Sequence, residues 1–155
     1  MITGFNHTSF TVTDMDRSVR FWTAAIGLEA RSVSPRSGSW QAKVTGVEDA
    51  QLLVAHLYGY GTHIELIQYV TGSASAPTID PNIPCASHVC FEVSGIEETW
   101  DRLIAAGASP QGQISTVDNG PVQGMKAGYL RDPGGILIEL FEAQSTPASA
   151  PISTA

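Results

Sequence analysis

The sequence predicts an α+β fold built from two tandem βαβββ modules. Two internal matches point to it. Residues 7–26 align without gaps on residues 88–107, setting His7 on His88, Phe10 on Phe91, Val12 on Val93 and Met15 on Ile96. Val19 then falls on Trp100, Trp22 on Leu103 and Ala25 on Ala106. Further on, Ile64-Glu65-Leu66-Ile67 resembles Ile138-Glu139-Leu140-Phe141, each after a strand-like run and a glycine-containing turn. Fixed-order self-similarity of this kind marks a repeated unit, here of about 60–70 residues. Length agrees: 155 residues, 43% of them hydrophobic, suffice for one good core shared by two small halves.

The elements follow in order. Residues 5–12 and 86–93 read as strands, alternating and rich in β-branched or aromatic side chains. Thr13-Asp14 and Ser94 read as helix N-caps, and Ser94 with Glu97 spells a capping box. Met15, Val19, Trp22 and Ile26 then recur at helical spacing, as do Ile96, Trp100, Leu103 and Ile104, so both tryptophans belong to the core. Gly27 and Gly107 end the helices. Three strands complete each module, over 31–44, 51–57 and 63–69 and over 109–114, 123–130 and 135–141. Asp132-Pro133-Gly134-Gly135 is a hairpin turn. Module one spans 3–71, a small-residue and proline-rich linker 72–85, module two 86–142, and a flexible tail 143–155.

Composition removes several function classes. The net charge is −7, from eight basic and fifteen acidic residues. Such a chain repels phosphate backbones and anionic lipid, so neither nucleic acid nor membrane is an expected partner. No run of about 18 apolar residues could span a bilayer. The start, Met1 to Phe10, lacks a basic stretch followed by an apolar one, so no secretory leader is expected. Cys85 and Cys90 are too few for a disulfide scaffold, and a reduced cytoplasmic location follows.

The repeat sharpens the chemistry. Side chains on a strand alternate faces. With Phe10 and Val12 turned to the helix, His7, Ser9 and Thr11 face the other way; in module two, His88, Cys90 and Glu92 do the same. Glu65 and Glu139 each sit between apolar residues that face the helix, so both carboxylates point with the histidines. An ionised carboxylate is almost never left unpaired in an apolar strand. Two histidines and two carboxylates at equivalent places, converging across a pseudo-twofold axis, form a nitrogen-and-oxygen ligand set for one divalent ion: Zn, Ni, Co, Mn or Fe(II).

Taken together, Phe5-Asn6-His7, Gly27-Leu28, Ser87-His88-Val89, Leu130-Arg131-Asp132-Pro133-Gly134-Gly135 and Ile138-Glu139-Leu140 resemble the vicinal oxygen chelate superfamily. It includes glyoxalase I, methylmalonyl-CoA epimerases, extradiol dioxygenases, fosfomycin-modifying enzymes and bleomycin-binding proteins. The resemblance covers about residues 3–142. It implies a cupped mixed sheet around a metal held by His7, Glu65, His88 and Glu139. It further implies a homodimer, in which modules can be exchanged between chains, and a small-molecule substrate with two neighbouring oxygens.

Four protein ligands on an octahedral ion leave two adjacent positions for such a substrate. The expected chemistry is proton transfer through an enediolate-like intermediate: an epimerase, an isomerase or a glyoxalase-type lyase. Glu65 or Glu139 acts as the base, as resemblance to glyoxalase I suggests. His63, Tyr69, Cys90, Glu92 and Lys126 are candidates for the pocket. Glu48 reads as part of a turn, and Arg31, Arg36, Lys43 and Lys126 form no patterned anion site. His56, Tyr58 and Tyr60 cluster near the first module's turn. Extradiol dioxygenases, which the chain resembles at His7, His88 and Glu139 only, are the alternative enzyme reading, because Glu65 fills a position that they keep open. A non-catalytic small-molecule or antibiotic-binding protein is the other alternative.

Overall fold

The computed structural model describes residues 1–72 and 78–143. Residues 73–77 of the predicted linker and the predicted tail beyond residue 143 lie outside them. Module one runs β1 (Thr8–Thr11), α1 (Met15–Ala24), β2 (Glu29–Arg36), α2 (Ser39–Thr45), β3 (Gln51–Gly59) and β4 (Thr62–Thr71). Module two runs β5 (His88–Glu92), α3 (Ile96–Ala105), β6 (Ser109–Pro110), β7 (Ser115–Thr116), β8 (Lys126–Arg131) and β9 (Leu137–Glu142). The strand orders are β1-β4-β3-β2 and β5-β9-β8-β6, with β7 also paired to β8. In both sheets the first strand runs parallel to the last, and the remaining pairs are antiparallel. The α+β class and the two βαβββ-like modules are therefore as the sequence predicts, except that the predicted strand over 109–114 is split into the two-residue strands β6 and β7 and module one gains α2. Among the described residues, no helix is long and apolar enough to cross a membrane.

Local chemistry explains the helix ends. Asp14 caps α1, its carboxylate accepting from the Arg17 N–H at 2.9 Å. Gly27 and Gly107, at φ of +94° and +101°, turn the chain out of α1 and α3 where only glycine does so without strain. The Ser94–Glu97 capping box does not form. The N-cap position is Gly95, with no side-chain cap from its own segment. Glu97 is instead held by Lys126 at 2.5 Å, and the Glu142 carboxylate accepts from the Gly95 N–H.

The predicted strand over 31–44 is also corrected. It stops at Arg36, and α2 follows. Gly38, at φ +124°, and Gly46, at φ +73°, bracket those seven helical residues, so backbone freedom at two glycines converts strand into helix. Module two has no counterpart to α2.

One apolar cluster joins the modules. It holds Met15 and Trp22 of α1, Leu57, Ile64 and Leu66 of the first sheet, Ile96 and Leu103 of α3, and Leu130, Ile138 and Leu140 of the second. Trp22 is fully buried, and its indole N–H donates to Asp132 Oδ2 at 2.9 Å. The other oxygen of Asp132 accepts from the N–H groups of Gly134 and Ile136 at 2.8 Å each, which fixes the predicted hairpin turn. The helix-bearing sides of both sheets thus share one core, and the opposite faces carry the polar residues of interest.

Candidate metal centre

Register places the carboxylates. Ser9 lies opposite Glu65 across β1 and β4, and Cys90 lies opposite Glu139 across β5 and β9. The two modules are therefore superposable at the site. His7, just before β1, brings Nε2 to 3.4 Å from Glu65 Oε1; His88, opening β5, brings Nε2 to 3.0 Å from Glu139 Oε2. Each predicted His–Glu pair forms. Among the described residues of one chain, no group of three or more His, Cys, Asp or Glu is arranged to hold a metal ion. The structure thus shows two separate His–Glu pairs, one per module, rather than one four-residue cluster.

Each pair has close neighbours. Asn6 Oδ1 accepts from His7 Nδ1 at 2.7 Å, which orients the ring with Nε2 on the side of Glu65. His56 pairs across the hairpin with Glu65, its Nδ1 3.8 Å from Oε2 and 3.0 Å from His63 Nε2. Burial lowers the His56 pKa against the pull of Glu65, with His63, Arg36 and His7 adding repulsion. In module two the matching position is Tyr129, opposite Glu139. Its hydroxyl donates to Glu139 Oε2 at 3.2 Å and lies 3.3 Å from His88 Nε2. Burial, then the charge of Glu139, pushes the phenol up to about 12, so it remains a donor.

The remaining sequence candidates divide. His63 shares the face of Glu65, its ring 5.3 Å from that of His7. Tyr69 lies further along the same strand, against an apolar cluster of Ala50, Leu52 and Val54. Burial and Glu139 push the Cys90 thiol up to about 11, which keeps it protonated and not a thiolate. Glu92 and Cys90 line a cleft of about 650 Å³ between the modules, with Tyr60, Phe91 and Arg102; none of His7, Glu65, His88 or Glu139 lines it. Lys126 is held by Glu97 and, at 4.0 Å, by Glu142.

His56 and Tyr129 were not singled out as site residues from the sequence. A signal for both exists: His56 and Glu65 are equidistant from the Tyr60-Gly61 turn, and Tyr129 and Glu139 from Gly134. Counting outward from a tight hairpin sets the cross-strand neighbour.

The donor set fits a divalent ion of borderline hardness: two imidazole nitrogens and two carboxylates, with the orientation of His7 already fixed by a neighbouring amide. Comparison with known proteins agrees. A family model described as the Glyoxalase/Bleomycin resistance protein/Dioxygenase superfamily matches residues 4–140. A 2-epi-5-epi-valiolone epimerase from an Actinomyces species is 29% identical, the match covering 94% of this chain and 81% of that protein. A probable lactoylglutathione lyase of Vibrio cholerae is 27% identical over 92% of both chains. A crystal structure of a glyoxalase family protein from Bacillus cereus superposes with a TM-score of 0.79 at 27% identity, covering 92% of this chain and 95% of that one.

Proposed function

Because the chain belongs to the glyoxalase/bleomycin resistance protein/dioxygenase superfamily, we propose that it is a metal-dependent enzyme that moves a proton at a carbon next to a carbonyl. The reaction is an epimerisation, an isomerisation or a glyoxalase-type lyase step on a small substrate with two neighbouring oxygens. The observation that carries this reading is the pairing of His7 with Glu65 and His88 with Glu139 at equivalent register in both modules. Relatives named as an epimerase and as a probable lactoylglutathione lyase support the same chemistry.

His7, Glu65, His88 and Glu139 would hold the ion. When bound, a divalent ion supplies Lewis acidity toward two adjacent substrate oxygens as negative charge develops on them. The protein moves the proton. Glu65 or Glu139 accepts it from carbon and returns it. The Tyr129 hydroxyl on Glu139 Oε2 orients that carboxylate, and His56 lies 3.8 Å from Glu65. The two sides of the centre are unlike, imidazole against phenol.

The ligand set is completed by two chains. β1 and β5 are both edge strands, with backbone groups free on one side. His7 precedes one edge and His88 opens the other. A second copy that sets its β5 edge beside β1 brings the two half-sites together and repeats the contact by twofold symmetry.

Elemental analysis of untagged protein, followed by proton exchange, tests the reading. About one divalent ion per chain and deuterium uptake from solvent at the α-carbon of hydroxy ketones, hemithioacetals or acyl thioesters are expected. Protein that binds no ion even on addition, and exchanges no proton, would instead be a small-molecule binder.

A further inference from the structure

On β2, Ala30 pairs with Leu57 and Ser32 with His56, so Arg31 is an extra residue without a partner on β3. Such a bulge re-aims a side chain. Here it lays the guanidinium over the ring of Tyr58, 4.3 Å from the centroid. Tyr58 in turn stacks on His63, with centroids 4.2 Å apart and planes 13° from parallel. His63 then reaches His7 and His56, at 5.3 and 5.2 Å. An unbroken ladder of flat groups therefore joins Arg31 to the ligand histidine and to the neighbour of Glu65.

The ladder borders a cleft of about 440 Å³ whose lining includes Asn6, Arg31, Tyr58, Thr62 and His63. Among the described residues, the one carboxylate close to Arg31 is Glu29, 3.9 Å from Nε, and both side chains are largely exposed. Arg31 lines the cleft, and its side chain is 60% exposed. A guanidinium placed over an aromatic ring still has N–H donors for a two-oxygen acceptor. In a chain of net charge −7, long-range attraction for an anion is missing, so a local cation has to supply recognition.

We propose that this cleft is the specificity subsite for the far end of the substrate, and that it takes an oxyanion, carboxylate or phosphate, through Arg31, with Asn6 and Thr62 as the neighbouring polar groups. The inference rests on the proton-transfer reading for its place in the reaction, but not for the binding itself.

The test separates the two. Metal-free protein is titrated with inorganic phosphate and, separately, with acetate, and the Arg31 Nε–H and His63 ring signals are followed by NMR. Saturable shifts of both, weakened at least tenfold in Arg31→Gln, are expected; a response to one anion only identifies the headgroup. In metal-loaded protein, α-proton exchange is compared for dihydroxyacetone phosphate and neutral dihydroxyacetone. Arg31→Gln should lower kcat/KM for the phosphorylated ketone at least tenfold more than for the neutral one, if phosphate is the headgroup, and mainly through KM. 5-Hydroxy-4-oxopentanoate, a hydroxy ketone with a carboxylate at its far end, replaces the phosphorylated ketone if acetate is the anion bound. Absence of saturable shifts with either anion, or unchanged affinity in Arg31→Gln, overturns the subsite. Anion binding without exchange of any substrate keeps the subsite and overturns the proton-transfer reading.

Discussion

Trp22 and Asp132, 110 positions apart, meet inside the core, the indole N–H donating to the carboxylate at 2.9 Å. One belongs to the helix of module one and the other to the last hairpin of module two, so a single hydrogen bond ties the repeat together.

Asp132→Ala should therefore be among the most damaging single changes. It strands the Trp22 N–H and the N–H groups of Gly134 and Ile136 at once. A buried donor left without a partner costs about 1–3 kcal/mol. Urea unfolding should show a loss on the order of 2–4 kcal/mol. Trp22→Phe, which removes the donor and keeps most of the apolar volume, should lose less. Equal stability of Asp132→Ala and wild type would show that the modules are not joined this way.

The proposed site built from two chains predicts that inactive variants complement each other. His7→Ala and His88→Ala should each abolish turnover alone. Unfolded together, mixed and refolded, they should regain about a quarter of wild-type activity, because half the dimers are mixed and each mixed dimer keeps one intact site. A mixture as dead as its components would place all four ligands within one chain.

Tyr129→Phe removes the hydroxyl on Glu139 and leaves the ring. Loss of a partner that orients a ligand usually weakens metal binding about 10–100-fold. A titration with Co(II), followed by its visible spectrum, should show that weakening while the folded far-ultraviolet signal stays. An unchanged Co(II) affinity would make Tyr129 a packing residue.

The two cysteines should differ in reactivity. Both are free thiols. Cys90 is pushed up to about 11 by burial and by Glu139, from an ordinary value of 9.0. A raised pKa lowers the thiolate fraction below it, so metal-free Cys90 should alkylate about 100-fold more slowly at pH 8 than an ordinary thiol. The gap should close as pH approaches 11. Mass spectrometry after timed iodoacetamide treatment reads both sites. Equal rates for Cys85 and Cys90 at pH 8 would contradict the influence of Glu139 on Cys90.

Much of this was legible in the sequence because two local codes carry it. Period-two alternation put His7 with Glu65 and His88 with Glu139, and the Asp14 cap with Gly27 and Gly107 bounded the helices. What escaped depends on information that local patterns do not hold. The α2 helix is only seven residues long and has no side-chain cap, so nothing but Gly38 and Gly46 announces it. Glu97 matched a capping box, yet Lys126, 29 positions away, competes for its carboxylate. His56 and Tyr129 needed the hairpin register. How the two half-sites meet depends on the docking of modules, which no strand or helix period encodes.

The bulge in β2 also says how this protein could change its substrate over time. Every pairing on either side of Arg31 holds whether or not that residue is present, since Ala30 and Ser32 already face adjacent residues of β3. Losing one codon would erase the cation and heal the ladder, with no side chain elsewhere on the strand turned to the wrong face. The strand can therefore gain or shed a charged group as a discrete cassette. Relatives that handle neutral and anionic substrates would then differ here by an insertion rather than by a substitution.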